Sequence, residues 1–183
     1  ETLISIDTFR SKVAKETVEI GAALINDISG GTMDSNMFET VAKLQVPYIL
    51  MHMKGTPQNM QKNPRYENVT TELMSFFAEQ IFKLRQLKLN DVLIDVGFGF
   101  GKTLEHNYQL LKDLALFKNL DVPILAGVSR KSMLYKPLHT SAKKALNATT
   151  SANTIALLNG ANILRVHDVK EAVEAVKIVQ QIR

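Results

Sequence analysis

The sequence contains no cysteine among its 183 residues. It therefore forms no disulfide, offers no thiolate nucleophile and has no cysteine cluster for zinc, so we expect a reducing compartment, the cytoplasm. Histidine is scarce, and His52, His106 and His139 show no paired spacing typical of metal ligands. No apolar run approaches the ~20 residues that a membrane-spanning helix needs, so we expect no membrane association.

Neither sign of charge dominates the chain. Its 22 lysines and arginines and 18 acidic residues give a formal net charge of +4. The basic residues are spread along the sequence and form no stripe. This pattern argues against nucleic acid as a partner and suits a small anionic ligand.

Length and composition indicate a single domain. With 45% hydrophobic and 22% charged residues, the chain is long enough for one sizeable core. We therefore predict one domain over residues 1–183. The sequence opens on Glu1 rather than methionine and enters an apolar run at Leu3, and we expect it to be the later part of a longer protein.

Apolar runs of strand length alternate with amphipathic stretches six times. Because each run is apolar throughout, the pattern predicts parallel strands covered by helices. Thr103 is the predicted N-cap of the fourth helix, and Gly160 is the predicted C-cap of a later one. Asp168 with Glu171 forms a predicted capping box for the last helix. The predicted strands cover residues 3–7, 23–27, 46–53, a run from 92, 122–127 and 163–167, and the predicted helices cover 11–21, 35–44, 69–88, 103–117, a stretch ending near 159 and one that follows 168.

Two architectures fit six such units, an open doubly wound sheet or most of a (β/α)8 barrel. Polar groups help to choose between them. In an open sheet, only the strands beside the switch point need ligand groups, whereas in a barrel every strand end faces a common mouth. Every predicted strand carries such a group, so we favour the barrel. The groups are Asp7, Asn26, His52, Asp95, Ser129 with Lys131, and Arg165 with His167.

The segment from Val92 to Thr103 carries the strongest single signal. An apolar run ends in Asp95 and passes into glycines at 97, 99 and 101, interleaved with two phenylalanines. Glycine allows close backbone approach and aromatic rings offer stacking faces, so the pattern predicts the floor of a site for a flat ligand. A tight structural turn is the alternative. The ending Gly-Lys-Thr resembles a phosphate-binding loop, but Val96 occupies the position of that motif's first glycine.

Asp7 and Asn26 are predicted at neighbouring strand ends. A carboxylate beside an amide could hydrogen-bond the edge of a heterocycle, and loop capping is the alternative for each residue. Met51 is predicted to be an apolar wall rather than a reactive group.

Arg165 and His167 are two residues apart on a predicted strand, so we expect them to point to the same ligand. Arginine offers a bidentate fork for phosphate, and histidine adds a donor that can carry charge near neutral pH. A salt bridge with a neighbouring acid is the alternative for Arg165. Arg130 and Lys131 follow another strand end, where they could be no more than solvated surface.

With these residues collected, the chain resembles the dihydropteroate synthase family over essentially its whole length. The family usually has proline where this chain has Val96, a departure in the backbone of a turn that should affect the chemistry little. Six ordered motifs carry the resemblance: Ser5-Ile6-Asp7-Thr8, Ile25-Asn26-Asp27, Met51-His52-Met53, Asp95-Val96-Gly97-Phe98-Gly99-Phe100-Gly101-Lys102, Ser129-Arg130-Lys131-Ser132 and Arg165-Val166-His167-Asp168.

The resemblance implies an α/β fold, the (β/α)8 TIM barrel, to which this chain supplies the third to eighth βα units. It implies that 6-hydroxymethyl-7,8-dihydropterin diphosphate condenses with p-aminobenzoate to give 7,8-dihydropteroate and pyrophosphate. Asp7 and Lys131 would be catalytic. By motif, the pterin would contact Asp7, Asn26, Met51, Asp95 and Lys131, the aminobenzoate would contact Phe100, Ser129 and Lys131, and the diphosphate would contact Arg165 and His167.

The resemblance also implies Mg²⁺ at the diphosphate, a homodimer formed by the late helices, and two loops after the first two barrel strands that complete the site. Those loops and the Mg²⁺ ligand would lie upstream of this chain. We therefore predict little or no activity for these 183 residues alone. Two alternatives stay open: a pterin-binding barrel of the methyltetrahydrofolate:corrinoid methyltransferase type, and a non-catalytic doubly wound binding module.

Overall fold

The computed structural model describes residues 2–60 and 62–182, which form six parallel strands alternating with helices. The strands are Ser5–Asp7 (β1), Leu24–Asp27 (β2), Tyr48–Met51 (β3), Val92–Asp95 (β4), Ile124–Ala126 (β5) and Ile163–Leu164 (β6). The helices are Ser11–Glu19 (α1), Met37–Leu44 (α2), Val69–Gln86 (α3), Leu104–Lys112 (α4), Ser132–Tyr135 (α5), Leu146–Leu158 (α6) and Val169–Val179 (α7), with 3₁₀ turns at Leu114–Leu120 and Ala142–Lys144.

The strands follow one another across the sheet in chain order, β1 to β6, and every neighbouring pair is parallel. Asp7 at the end of β1 forms an ion pair with Arg165, which follows β6. In a flat sheet, the two edge strands would lie roughly 24 Å apart, at ~4.8 Å for each of five spacings. The sheet is therefore curled into a half-barrel, and the predicted alternative of an open doubly wound sheet is wrong.

The core lies between the sheet and its helices. Tyr48, Leu50 and Ile94 on the central strands are fully buried, as expected for strands covered on both faces. From outside, Phe77 of α3 meets Phe117 edge to face with ring centroids 6.0 Å apart. This contact joins α3 to the 3₁₀ turn that follows α4. Among the described residues, none of the helices combines the length and apolarity needed to cross a membrane.

Of two predicted helix N-caps, the structure confirms one and contradicts the other. Thr103 is the N-cap of α4 as predicted, and its side chain accepts a hydrogen bond from the backbone N–H of His106 at 3.2 Å. Asp168 precedes α7, but its side chain makes no cap hydrogen bond. The predicted capping box is therefore wrong, because the Asp168 carboxylate instead binds Arg130 with two hydrogen bonds of 2.9 and 2.6 Å.

Two predicted elements are shorter than expected. α4 ends at Lys112, and the chain tightens into the 3₁₀ turn, so the predicted single helix to Phe117 is wrong. The last strand ends at Leu164, so Arg165 and His167 do not lie on one strand as predicted. The Arg165 N–H still donates to the Ala126 carbonyl at 3.0 Å, which keeps the segment beside β5.

Candidate active site at the carboxyl ends of the strands

Neighbouring strands bring the predicted polar residues to one end of the half-barrel. Asp7 of β1 lies opposite Asn26 of β2, and Met51 of β3 lies opposite Asp95 of β4. Since all strands run in the same direction, their carboxyl ends open onto a common mouth. Met51 is buried beside this mouth.

Through its carboxylate, Asp7 connects β1 to β2 and to the segment that follows β6. One oxygen accepts a short hydrogen bond from the Asn26 side-chain amide, and the other accepts one from the Arg165 guanidinium. The salt bridge that was the alternative interpretation of Arg165 is therefore present, with Asp7 as its partner. Asn26 is only 3% exposed, and within the described part of the chain its side-chain oxygen has no hydrogen-bond partner. A buried acceptor without a donor is costly and marks a place where a ligand N–H would fit.

Asp95 offers a second acceptor in the same mouth. Its side chain is 3% exposed, and one carboxylate oxygen accepts the Gly97 backbone N–H at 2.8 Å. Burial raises the pKa of Asp95, and the Lys131 ammonium and the Gly97 N–H oppose that rise. The carboxylate is thus poorly solvated, which strengthens any hydrogen bond that a ligand donates to it.

Gly127, which follows β5, leaves a space into which three charged side chains project. A methyl group on this glycine would lie 3.7 Å from a carboxylate oxygen of Asp95, 3.8 Å from the Lys131 ammonium and 3.9 Å from Cβ of Arg165. Three residues far apart in sequence therefore converge on one point. All three distances are ordinary van der Waals contacts, so a methyl group at position 127 would fit among these side chains.

Lys131 is held across this space by the segment that follows β4. Its ammonium donates to the Phe98 carbonyl at 2.5 Å and lies 5.0 Å from the centre of the Phe100 ring. Burial lowers the pKa of Lys131, while the nearby Asp95 carboxylate raises it. The ammonium is in position to contact a ligand that lies between Asp95 and Phe100.

A cavity of about 270 Å³ opens beside this cluster. Inside it, the Ser129 hydroxyl lies 2.9 Å from Nδ1 of His167 and accepts the His167 backbone N–H at 3.1 Å. Arg165 and His167 thus share one cavity, although not through a common strand. Hydroxyl, guanidinium, imidazole and ammonium groups together suit a phosphate-bearing ligand. The lining residues are Gly127, Ser129, Lys131, Arg165, Val166 and His167.

The three alternating glycines have different roles. A Cβ on Gly97 would overlap the His52 carbonyl oxygen, and one on Gly101 would overlap that of Lys54. Gly99 has room, since the nearest atom to its added Cβ is Lys131 Cδ at 3.6 Å. The prediction that the glycines together form a ligand floor is therefore too broad. Two of them let the loop after β3 pack against this segment, and Gly99 alone faces the lysine of the site.

Lys102 is a buried cation whose role the sequence does not reveal. It is only 4% exposed, and its ammonium lies 3.0 Å from the Phe100 carbonyl and 3.2 Å from both the carbonyl oxygen and Nδ1 of His52. Burial lowers the pKa of Lys102 to about 7, and burial with the nearby Lys102 ammonium lowers that of His52 to about 3. The neutral imidazole can therefore accept a hydrogen bond from Lys102. In the sequence, only the position of Lys102 directly after the glycines hinted that this lysine is buried and hydrogen-bonded.

One interpretation of the sequence made Arg130 a solvated surface residue, and the structure contradicts it. Its guanidinium is paired with Asp168 and is a quarter exposed. No local sequence pattern predicts this pair, because the two residues are 38 positions apart.

The curled parallel sheet defines an α/β half-barrel with a mouth of polar and charged side chains at the carboxyl ends of its strands. Residues 1–167 match the model of the pterin binding enzyme family. The chain therefore belongs to the pterin-binding enzymes.

Similar proteins include several dihydropteroate synthases. The chain is 42% identical over 182 residues to the dihydropteroate synthase of Escherichia coli strain K12. The aligned region covers 98% of this chain and 64% of that protein. The chain thus spans slightly less than two thirds of this curated relative. A Yersinia pestis dihydropteroate synthase in a sulfonamide drug complex superposes with a TM-score of 0.96 at 40% identity, over 100% of this chain and 67% of that one. A Xanthomonas albilineans dihydropteroate synthase in complex with 7,8-dihydropteroate superposes with a TM-score of 0.90 at 35% identity, over 98% of this chain and 68% of that one.

Proposed function

We propose that the full-length protein that contains this chain is a dihydropteroate synthase. It condenses 6-hydroxymethyl-7,8-dihydropterin diphosphate with p-aminobenzoate and releases pyrophosphate. The observation that carries the proposal is the pair of buried acceptors at the mouth, the unpartnered side-chain oxygen of Asn26 and the carboxylate of Asp95. A reduced pterin presents a row of N–H donors along one edge, which matches such acceptors.

In this proposal the pterin lies between Asn26 and Asp95. Asp95 accepts from the amino and ring N–H groups, Asn26 and Asp7 complete the polar edge, and Met51 provides an apolar contact. The support for this arrangement is the shared mouth formed by the aligned ends of β1 to β4.

The diphosphate occupies the cavity beside the pterin. Arg165 and His167 bind its oxygens, and the cavity lining and its positive charge support that assignment. The p-aminobenzoate contacts the Phe100 ring, Ser129 and Lys131. Lys131 is thus shared by both substrates, which agrees with its position between Asp95 and Phe100.

The reaction replaces a carbon–oxygen bond by a carbon–nitrogen bond. The bond between the pterin methylene carbon and the diphosphate oxygen breaks, its electron pair leaves with pyrophosphate, and the arylamine lone pair forms the new bond before the nitrogen loses a proton. Arg165 and His167 stabilise the departing charge, and the Asp7 carboxylate stabilises positive charge on the pterin methylene group. Catalysis then depends on electrostatics and positioning rather than on a strong base.

The family resemblance implies Mg²⁺ at the diphosphate, but the described residues of this chain do not form a site that suits Mg²⁺. Mg²⁺ prefers oxygen ligands such as carboxylates, whereas the cavity that would hold the diphosphate is lined by cationic and neutral groups. Within residues 2–60 and 62–182, no group of three or more acidic or histidine side chains is arranged to hold a metal ion. No step of the proposed reaction is therefore assigned to Mg²⁺.

The architecture of the whole protein follows from the same proposal. We assign the six units to the third to eighth βα units of a (β/α)8 barrel, in the cytoplasm, and expect residues 1–183 alone to have little or no activity. A homodimer through the late helices is supported by apolar side chains that α6 and α7 leave exposed, which light scattering can test. These side chains are Ile155, Leu158, Val173 and Ile178.

The test is to give the full-length protein the pterin diphosphate with and without p-aminobenzoate and to measure pyrophosphate release. We expect release that depends on the amine, together with formation of 7,8-dihydropteroate. Absence of amine-dependent release would refute the proposal. Methyl transfer from a methylated folate to a corrinoid, without pyrophosphate, would instead establish the methyltransferase alternative.

A further inference from the structure

Arg130 lies between two residues of the cavity but is not part of its lining. Ser129 and Lys131 line the cavity, whereas the backbone of Arg130 adopts a left-handed conformation with φ of 55°. This conformation is uncommon for a residue with a side chain. It directs the Arg130 side chain away from the cavity that its two neighbours line.

The guanidinium of Arg130 joins three segments of the chain. It binds both carboxylate oxygens of Asp168 at 2.9 and 2.6 Å, and it donates to the carbonyls of Ala142 and Lys143 at 2.9 and 3.0 Å. Its backbone N–H donates to the Thr149 hydroxyl at 3.0 Å. A bidentate, partly buried arginine–carboxylate pair is stronger and more directional than an exposed ion pair.

Asp168 directly follows His167, which contacts Ser129 inside the cavity. The segment after β5 and the segment after β6 are therefore linked twice by consecutive residues. The Ser129–His167 contact lies within the cavity, and the Arg130–Asp168 pair lies outside it. Together the two contacts fix the distance and the twist between these segments, which a single contact would not.

We propose that Arg130, acting through Asp168, is a positioning residue of the condensation reaction. The inference rests on the proposed function, in which Lys131 faces the amine and His167 faces the diphosphate. The reaction needs the amine placed against the methylene carbon while the departing diphosphate is held, and a misplacement of about 1 Å can cost on the order of a hundredfold in rate. Arg130 holds the amine side and the diphosphate side in register without contacting either substrate.

The test compares Arg130→Gln, Asp168→Asn, the double variant and Arg130→Lys in the full-length protein. Val179→Ala is the matched control, since this buried residue lies at the other end of α7, in a small apolar cluster. For each variant, kcat and both KM values are measured at 25 °C, with Tm as a measure of stability. Hydrogen–deuterium exchange of residues 127–131 and 165–168 supplies a measurement that does not depend on activity.

We expect Arg130→Gln and Asp168→Asn each to lower kcat about 10- to 100-fold with KM changed by less than about threefold. The double variant should be no worse than the more severe single variant, because both remove the same pair. Arg130→Lys should be intermediate, since a lysine cannot reproduce the fork. Exchange of both segments should increase in Arg130→Gln and stay unchanged in Val179→Ala, which should lower Tm but not kcat.

An unchanged kcat in Arg130→Gln, or additive losses in the double variant, would overturn the positioning role. The outcome for the proposed function is separate. If the wild-type protein shows no amine-dependent pyrophosphate release, the synthase assignment fails, and the exchange experiment alone decides whether Arg130 holds the two segments together. Exchange that is the same in Arg130→Gln and wild type would then overturn the inference.

Discussion

Replacing single glycines by alanine in the segment after β4 separates backbone packing from ligand contact. Gly97 and Gly99 both have positive φ, 68° and 81°, so alanine at either position carries a conformational cost of about 1–2 kcal/mol. The two positions differ in their surroundings. The new methyl group at 97 would overlap the His52 carbonyl oxygen, whereas at 99 its nearest neighbour is 3.6 Å away.

Overlap with a backbone atom forces a shift of two packed segments, and overpacking of this kind adds about 1–3 kcal/mol. We therefore expect Gly97→Ala to lower the free energy of unfolding by about 2–5 kcal/mol and Gly99→Ala by about 1–2 kcal/mol. Gly101→Ala should resemble Gly97→Ala, because its methyl group would overlap the Lys54 carbonyl oxygen and lie 3.0 Å from the Lys54 nitrogen.

Urea unfolding of the full-length protein, followed by circular dichroism, measures these costs. The affinity for the pterin diphosphate, measured by calorimetry, supplies the functional counterpart. Gly99→Ala should weaken that affinity more than its small stability loss would suggest, since the methyl group faces Lys131. If Gly97→Ala is no more destabilising than Gly99→Ala, the distinction between the two glycines is wrong.

Three further substitutions test the buried polar groups. Asp95→Asn should weaken binding of the pterin diphosphate about 10- to 100-fold in calorimetry, because a charged acceptor is lost; an unchanged affinity would remove Asp95 from the pocket. Lys102→Met should alter the pH dependence of stability: burial lowers the pKa of Lys102 from 10.5 to about 7, so between pH 7 and 10 the unfolded chain holds a proton that the folded one has released. Over that range the free energy of unfolding of wild type relative to Lys102→Met should rise by up to about 1.4 kcal/mol per pH unit. If urea unfolding gives the same difference between the two proteins at pH 7 and pH 9, this expectation is wrong. Tyr48→Phe should cost about 1–3 kcal/mol in urea unfolding, because its hydroxyl donates at 2.6 Å to the fully buried Asp27 carboxylate; a change below the error of the measurement would show that the other donors to Asp27 suffice.

The sequence predicted the parts of the molecule that depend on local pattern and on parallel-strand geometry. Apolar runs predicted six strands, and a carboxylate or amide after a run predicted where Asp7, Asn26 and Asp95 would lie. Because the ends of parallel strands share one side of a sheet, their proximity followed without further information. The roles of these residues toward the substrates stay predictions.

What the sequence could not predict depends on partners far along the chain. Asp168 has the local pattern of a helix cap, but a guanidinium 38 positions away binds its carboxylate. Gly97 and Gly101 have the pattern of a ligand floor, but the loop after β3 determines what their missing side chains would contact. Local patterns do not distinguish such alternatives, since they arise only when the half-barrel brings the segments together.

The contact between Asp7 and Arg165 places a counter-ion for the guanidinium inside the mouth. In the proposed reaction, the diphosphate would compete with the Asp7 carboxylate for this guanidinium. A ligand that also brings N–H donors would offset that competition, because it could donate to the Asp7 carboxylate and to the side-chain oxygen of Asn26. In the same proposal, departure of pyrophosphate would let the Asp7 carboxylate pair with the guanidinium again, so that no unpaired cation would remain.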